Sequence, residues 1–264
     1  MIKIAIATHK YYPMPIDSCY IPLYIRHKKG TPKVEEQYQY EDEGQNISNK
    51  NSLYCELTAM YWIWKNVKAD YYGLFHYRRY LTFASFFKRI FTKNKFYMIP
   101  TEKQWKHFLA DTNIVLPKKR NYIIETIYSH YCHTQDREHL EKTKEVIKEL
   151  CPQYEESFTW VMKQRSAHMF NMFVMQKEVF FAYCEWIFPI LEELEHRIDC
   201  SQYNAFEKRY IGRIGEILLN VWIHHTQLKY KELDVLYLEP VAWRSKIFAF
   251  LKAKFFSKKY THSF

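Results

Sequence analysis

Asp70-Tyr71-Tyr72-Gly73-Leu74-Phe75-His76-Tyr77-Arg78-Arg79-Tyr80-Leu81 runs an apolar strand straight into a tip carrying an imidazole and two guanidiniums. Arg presents a planar fork of donors that matches phosphate or carboxylate bidentately, and adjacent like charges are unfavourable unless something negative lies between them. The stretch therefore reads as a strand aimed at an anion. A structural alternative stands beside it. Neighbours on a strand face opposite ways, so one arginine could bond a carboxylate of the fold while the other is solvated.

Upstream, Ile2–Thr8 is a short Ile-rich run that reads as a strand buried on both faces of a parallel sheet. Residues 11–44 hold prolines 13, 15, 22 and 32 and the run Glu41-Asp42-Glu43, and read as a long functional loop. Residues 46–51 supply capping side chains before a helix in which Leu53, Leu57, Met60, Tyr61 and Trp64 share one face. Downstream, residues 113–116 form a third strand closed by Pro117. Helical periodicity takes in Ile123, Ile124, Ile127, Tyr128 and Tyr131, then residues 138–150. Residues 169–175 read as another strand, and residues 178–197 and 205–225 as two long helices, the first with core aromatics at 183–188. This alternation predicts an α/β domain with a mostly parallel sheet flanked by helices, spanning residues 1–240. In such sheets ligands sit at the carboxyl ends of the strands. Those ends carry Thr8, His9 and Lys10, then His76 to Arg79, then Lys118 to Arg120.

Lys and Arg outnumber Asp and Glu by 39 to 29, so the expected partner is anionic. None of the five glycines belongs to a G-x-G-x-x-G or G-x-x-x-x-G-K pattern, which excludes a Rossmann dinucleotide fingerprint and a P-loop. The six cysteines show no C-x-x-C spacing, and the chain opens directly as a strand; both suggest reduced thiols and a cytoplasmic protein with no signal peptide. No apolar run reaches the ~20 residues of a spanning helix, so membrane contact would be peripheral.

The segments Asn46-Ile47-Ser48-Asn49-Lys50-Asn51, Tyr54-Cys55-Glu56-Leu57-Thr58-Ala59-Met60-Tyr61-Trp62-Ile63-Trp64-Lys65-Asn66 and Gly73-Leu74-Phe75-His76-Tyr77-Arg78-Arg79-Tyr80 are similar, nearly letter for letter, to a bacterial family catalogued as a domain of unknown function (DUF4422). The resemblance implies a glycosyltransferase of the kind found in capsule, exopolysaccharide and lipopolysaccharide clusters. The resemblance takes in Ile6-Ala7-Thr8-His9-Lys10, Asn171, residues 183–188, Arg209, Gly212 and Glu216, and so runs from the start of the chain to about residue 230. The chain departs from the pattern at Ile217, where an Arg is common, and at residues 22–26. The resemblance implies a nucleotide-sugar-dependent transferase with a single Rossmann-like, GT-A-like domain. It also implies a UDP-sugar donor and a glycan or lipid-linked oligosaccharide acceptor.

Sugar transfer from a nucleotide diphosphate needs neutralisation of the departing pyrophosphate and, in inverting enzymes, a carboxylate base. Many enzymes of this class hold a divalent metal with Asp-x-Asp, a motif found nowhere in this chain. His76, Arg78 and Arg79 are therefore expected to supply the missing charge, with Mg or Mn at His76 left as an alternative. Glu216 and Glu56 are the carboxylates that coincide with the resembling motifs. Glu216 is the candidate base, its structural alternative being a salt bridge with Arg209 or Arg213. Glu56 is expected to be structural, a buried partner for Arg78 or Arg79. Thr8, His9, Lys10, Asn51 and Asn171 are expected at the donor, Asn51 having helix capping as its commoner use. His133, Asp136 and Arg209 are expected at the acceptor. His133 forms a helical pair with His130 that could also bind a metal.

Residues 241–264 form a basic tail in which Ile247, Phe248, Leu251 and Phe255 share a helical face among lysines 246, 252, 254, 258 and 259, the pattern of an interfacial helix. Phe86-Phe87-Lys88-Arg89-Ile90-Phe91 repeats that theme, and the two together suggest reversible contact with the inner face of the cell membrane. Two other function classes compete with the transferase. One is a nucleic-acid-binding protein, disfavoured by the dispersal of the basic residues. The other is a non-catalytic nucleotide-sugar or glycan-binding protein.

Overall fold

The computed structural model describes residues 1–25 and 37–239, so the basic tail and part of the early loop lie outside the described residues. The strands are β1 (Ile2–Thr8), β2 (Tyr20–Tyr24), β3 (Gln39–Tyr40), β4 (Tyr71–His76), β5 (Arg79–Thr82), β6 (Ile114–Pro117), β7 (Arg120–Asn121), β8 (Ser166–Ala167), β9 (Phe173–Gln176) and β10 (Lys231–Tyr237). The α-helices are α1 (Asn51–Tyr54), α2 (Leu57–Asn66), α3 (Phe86–Phe91), α4 (Glu102–Phe108), α5 (Ile127–Thr134), α6 (Glu138–Leu150), α7 (Glu155–Lys163), α8 (Lys177–Arg197) and α9 (Tyr210–Thr226).

Eight strands make one sheet in the order β3-β2-β1-β4-β5-β10-β6-β9, while β7 and β8 pair separately. β1 lies between parallel β2 and β4, and its side chains alternate between two cores. Ala5 and Ala7 face one core with Tyr72 and Leu74 of β4 and helices α2, α8 and α9. Ile2, Ile4 and Ile6 face the other with Phe75 and Trp105 of α4. That period of two follows from the pleat and explains why the β1 sequence is apolar throughout.

The sheet is mixed, with four parallel and four antiparallel pairings among the described residues, where a mostly parallel one was expected. Tyr77 and Arg78 form a tight turn that returns the chain as β5, so His76 pairs directly with Arg79. Two residues suffice for an antiparallel hairpin and cannot make a parallel crossover. The edge of β4 away from β1 is thus shared. β9 pairs antiparallel with Tyr71 to Leu74, and β5 takes over at His76.

Three further elements depart from the periodicity. The helix expected across residues 53–66 breaks at Cys55, whose φ is 53°. Asn51 is no N-cap: its side-chain amide donates to the Cys55 carbonyl (2.9 Å) and to the Thr58 hydroxyl (2.8 Å), holding the break. Gly212 and Gly215 of α9 admit it, since an added Cβ would meet Cys55 at 3.0 Å and Leu57 at 2.6 Å. Ile123 and Ile124 are exposed, and helix α5 begins only after the Thr126 capping box. The strand expected from residue 169 starts at Phe173, because Phe170 and Asn171 have φ of 76° and 50°. Among the described residues no helix is long and apolar enough to cross a membrane.

Candidate functional site

The residue pair that ends β4 and begins β5 opens the site. Antiparallel β9 sets Leu74 opposite Phe173, so the chain just before β9 passes beside the β4 tip. There His76 Nε2–H donates to the Phe170 carbonyl (2.7 Å). A carbonyl only accepts, so Nε2 carries the proton and Nδ1 keeps its lone pair. Burial holds the His76 pKa below the usual imidazole value, with Arg79 and Arg209 adding to the effect and Glu56 opposing it. The left-handed backbone at Phe170 and Asn171 is strained for a bulky residue, by ~1–2 kcal/mol at Phe170. It persists where the carbonyl meets His76 and the Phe170 ring lies under the Arg79 guanidinium (4.7 Å).

Asn171 fixes the floor. Its amide donates to Glu56 Oε1 (2.8 Å) and to the Gly212 carbonyl (3.1 Å), tying the helix break to α9. Its buried Oδ1 has no hydrogen-bond partner among the described residues. Glu56, expected as a buried partner for Arg78 or Arg79, is buried and accepts from Asn171 instead.

Glu216 projects from α9 into the same space. Burial, reinforced by the negative charge of Glu56, pushes its carboxyl up to about 7, against the pull of Arg213, Arg79 and Arg120. No ion pair joins it to Arg209 or Arg213 among the described residues. Arg209 instead donates from Nε to Cys55 Sγ (3.2 Å) within electrostatic reach of both carboxylates. Arg213 is pushed below the usual guanidinium value by burial and by Arg209.

The guanidiniums share one arrangement. Arg79 lies over Phe170, Arg213 over Phe206 (4.4 Å) and Arg120 over Tyr122 (5.4 Å), and none of the three forms a direct ion pair among the described residues. Stacking on a ring holds a guanidinium in place without neutralising it. With Arg209, four cations lie within electrostatic reach of Glu216 or Glu56, which leaves a net positive cluster. Such a set suits an anion. It does not fit a divalent metal, which would face the guanidiniums, with His76 Nε2 bonded to a carbonyl and Glu56 to Asn171. Among the described residues no three His, Cys, Asp or Glu side chains are grouped to hold a metal ion.

A second histidine–carboxylate group adjoins this one. Buried Glu125 accepts from Nδ1 of His130 (3.0 Å) and of His133 (2.7 Å). Burial lowers the His130 pKa, and Arg120 and Arg213 lower it further against Glu125. His130 is thus the member of the pair that feels the site, whereas His133 stands behind Glu125. Asp136 is exposed and accepts from the Glu138 backbone (3.0 Å) at the start of α6.

The other face of the hairpin gathers the remaining candidates. Arg78 pairs with Glu239 (2.9 Å) and lies over the Tyr77 ring (4.9 Å). Lys10 approaches the same ring at 5.3 Å and His9 meets it edge-on at 5.4 Å. Thr8 is fully buried, and its hydroxyl donates to the Lys10 carbonyl (2.6 Å). The candidates therefore fall into two groups: His76, Arg79, Glu56, Asn171, Arg209 and Glu216 in one, His9, Lys10 and Arg78 in the other. Arg213 and Glu125 were not foreseen as site residues, and His130 was weighed only as the partner of His133 in a possible metal pair. The spacing Arg209, Arg213, Glu216 was a usable signal for the first, since i, i+4, i+7 share a helical face.

Three comparisons bear on this geometry. The family model described as a domain of unknown function (DUF4422) matches residues 3–227. An apo structure of the WbbM bifunctional glycosyltransferase superposes with a TM-score of 0.81 at 32% identity, covering 90% of this chain and 45% of that one. The chain thus spans less than half the length of that solved relative. No curated protein matches the sequence.

Proposed function

The chain belongs to the DUF4422 family, and we propose on that premise that it is a glycosyltransferase moving a sugar from a nucleotide-diphosphate donor to a glycan acceptor. The observation that carries the reading is the set Arg79, Arg120 and Arg213, stacked on aromatic rings around Glu216 with no ion-pair partner among the described residues. Likeness to a glycosyltransferase structure supports it. The accompanying fold reading is the Rossmann-like, GT-A-like class over residues 1–240.

In this reading the pyrophosphate of the donor lies among Arg79, Arg120 and Arg213, and the nucleoside extends toward His9, Lys10 and Tyr77. Glu216 as carboxylate takes the proton of the acceptor hydroxyl while that oxygen bonds to the anomeric carbon. The bond from that carbon to the diphosphate oxygen breaks, and its electron pair leaves with the nucleotide diphosphate. The added negative charge on the leaving group meets guanidiniums already in position, which need no reorganisation. Neutral His76 offers Nδ1 as a hydrogen-bond acceptor to the bound sugar. Arg209 lies on the acceptor side of Glu216. Thr8 and Asn51 act on the backbone around the site, and His133 steadies Glu125.

A thermal-shift screen of nucleotide sugars tests the reading, because a ligand that binds only the folded state raises Tm. At least one, with UDP-sugars the first to try, is expected to raise the Tm of the wild type and to release nucleotide diphosphate when an acceptor is added. Arg213→Met should bind it about tenfold to a hundredfold more weakly, the loss of a charge-assisted contact. The unliganded variant should melt no lower than the wild type, since a mostly buried charge with no ion-pair partner among the described residues has gone. No shift with any nucleotide sugar, or full affinity in Arg213→Met, would overturn the assignment.

A further inference from the structure

We propose that the face built by α3 and the residues following it docks onto an anionic lipid surface. At 3.6 residues per turn, Phe86, Ile90, Phe87 and Phe91 fall within an arc of about 140° on one side of α3, with Lys88 and Arg89 on the other. These four apolar side chains and Tyr97 are 57% to 80% exposed, a cluster too large and too aromatic to be ordinary surface. The chain around them is depleted of negative charge to an unusual degree. From Tyr71 to Thr101 there is no Asp or Glu, while Arg78, Arg79, Lys88, Arg89, Lys93 and Lys95 all fall within that span.

The face is also held in place. Arg89 pairs with Asp234 (3.1 Å), and Lys95 donates to the Tyr237 carbonyl (2.5 Å). Both anchors lie on β10, three residues apart, so two points about 10 Å from each other grip the segment. Lys88 and Lys93 are exposed and stay available to an anionic surface. Apolar rings beside basic side chains match the two layers of a leaflet, acyl boundary and phosphate headgroups. A second copy of the chain is a poorer occupant, since a two-fold contact would set this charge against itself. Tyr237, gripped by Lys95, feels the charges of Arg79 and Arg120, so a bound surface would lie near the arginine site. The inference stands on this face alone and does not require the transfer reading.

Vesicle flotation of the full chain tests it. Vesicles of phosphatidylcholine with about 30 mol% phosphatidylglycerol should carry the wild type at least about tenfold better than phosphatidylcholine alone. Phe87→Ser/Phe91→Ser should lower that partition about tenfold, and Lys88→Glu/Lys93→Glu should abolish the preference for the anionic vesicles. Both double variants should keep the wild-type Tm and its response to nucleotide sugars. The proposal fails if the wild type does not distinguish the two vesicles, or if both variants float as the wild type does, as a basic tail acting alone would produce. It fails equally if the wild type sediments as a dimer that Phe87→Ser/Phe91→Ser splits. A wild type that binds vesicles but responds to no nucleotide sugar would break the transfer reading and leave this one intact.

Discussion

Arg78 and Arg79 are chain neighbours with the same side chain, yet they belong to different regions of the molecule. Arg78 sits in the turn, half exposed, paired with half-exposed Glu239 and close to Tyr77. Arg79 begins β5, lies over Phe170 and adds its charge to a site where Glu216 and His76 are both shifted by burial. In the first region solvent screens the pair, and a surface ion pair of this kind contributes only ~0–1 kcal/mol. In the second, low dielectric strengthens every charge interaction, and Arg79, Arg120 and Arg213 form no direct ion pair among the described residues. Under the transfer reading proposed above, the anion-binding feature is the side of the hairpin facing α9 rather than the pair of arginines.

Three experiments would break or sharpen that contrast. The largest expected effect is at Glu216. Glu216→Gln keeps the shape of the side chain and removes the base, so transfer should fall on the order of a hundredfold or more with nucleotide-sugar affinity near wild type. A variant that retains its turnover would move the base elsewhere, with His76 the next candidate.

A smaller effect separates the arginines. Arg79→Ala should weaken nucleotide-sugar binding about tenfold, whereas Arg78→Ala should change it by no more than about threefold and alter stability by less than about 1 kcal/mol. Equal losses in the two variants, read by titration calorimetry, would erase the distinction between the two sides of the hairpin.

The smallest effect is on stability against pH. The Glu216 carboxyl holds its proton up to about 7 in the folded chain, against an ordinary 4.5. Between those values the folded state binds more protons than the unfolded one, so this group makes stability fall as pH rises through the window and level off above it. His76, whose pKa is lowered, acts in the opposite direction below its ordinary value of 6.5. Glu216→Gln removes only the first contribution. The Tm advantage of Glu216→Gln over the wild type should therefore grow from pH 5 to about 7 and stay constant above. A difference independent of pH would mean that the carboxyl is not perturbed. The rate of the wild type should rise over the same interval as the base loses its proton.

Part of the arrangement around Glu216 was legible in the sequence. His76, Arg79, Asn171, Arg209 and Glu216 were singled out there, and the fold brings them together. The turn at Tyr77 and Arg78 was harder to read, because neither residue is a usual hairpin-turn residue and the apolar run continues through Tyr80 and Leu81. His133 and Asp136 drew notice over His130, although it is His130 that stands beside Arg120 and Arg213. Helical spacing placed the two histidines one turn apart and could not say which of them looks inward.

What the sequence determined by itself is local. Continuous apolar runs built β1 and β4, helical spacing put Arg209, Arg213 and Glu216 on one face, and the depletion of acids between Asp70 and Glu102 set the charge of that region. The tertiary structure alone decided which arginine enters the site, how β9 runs past β4, and why Cys55, Phe170 and Asn171 adopt left-handed backbones. Those outcomes depend on contacts between residues far apart in the chain, such as Asn171 with Glu56 and Gly212. Only packing can hold such strained positions against their local preference, so no local pattern records them.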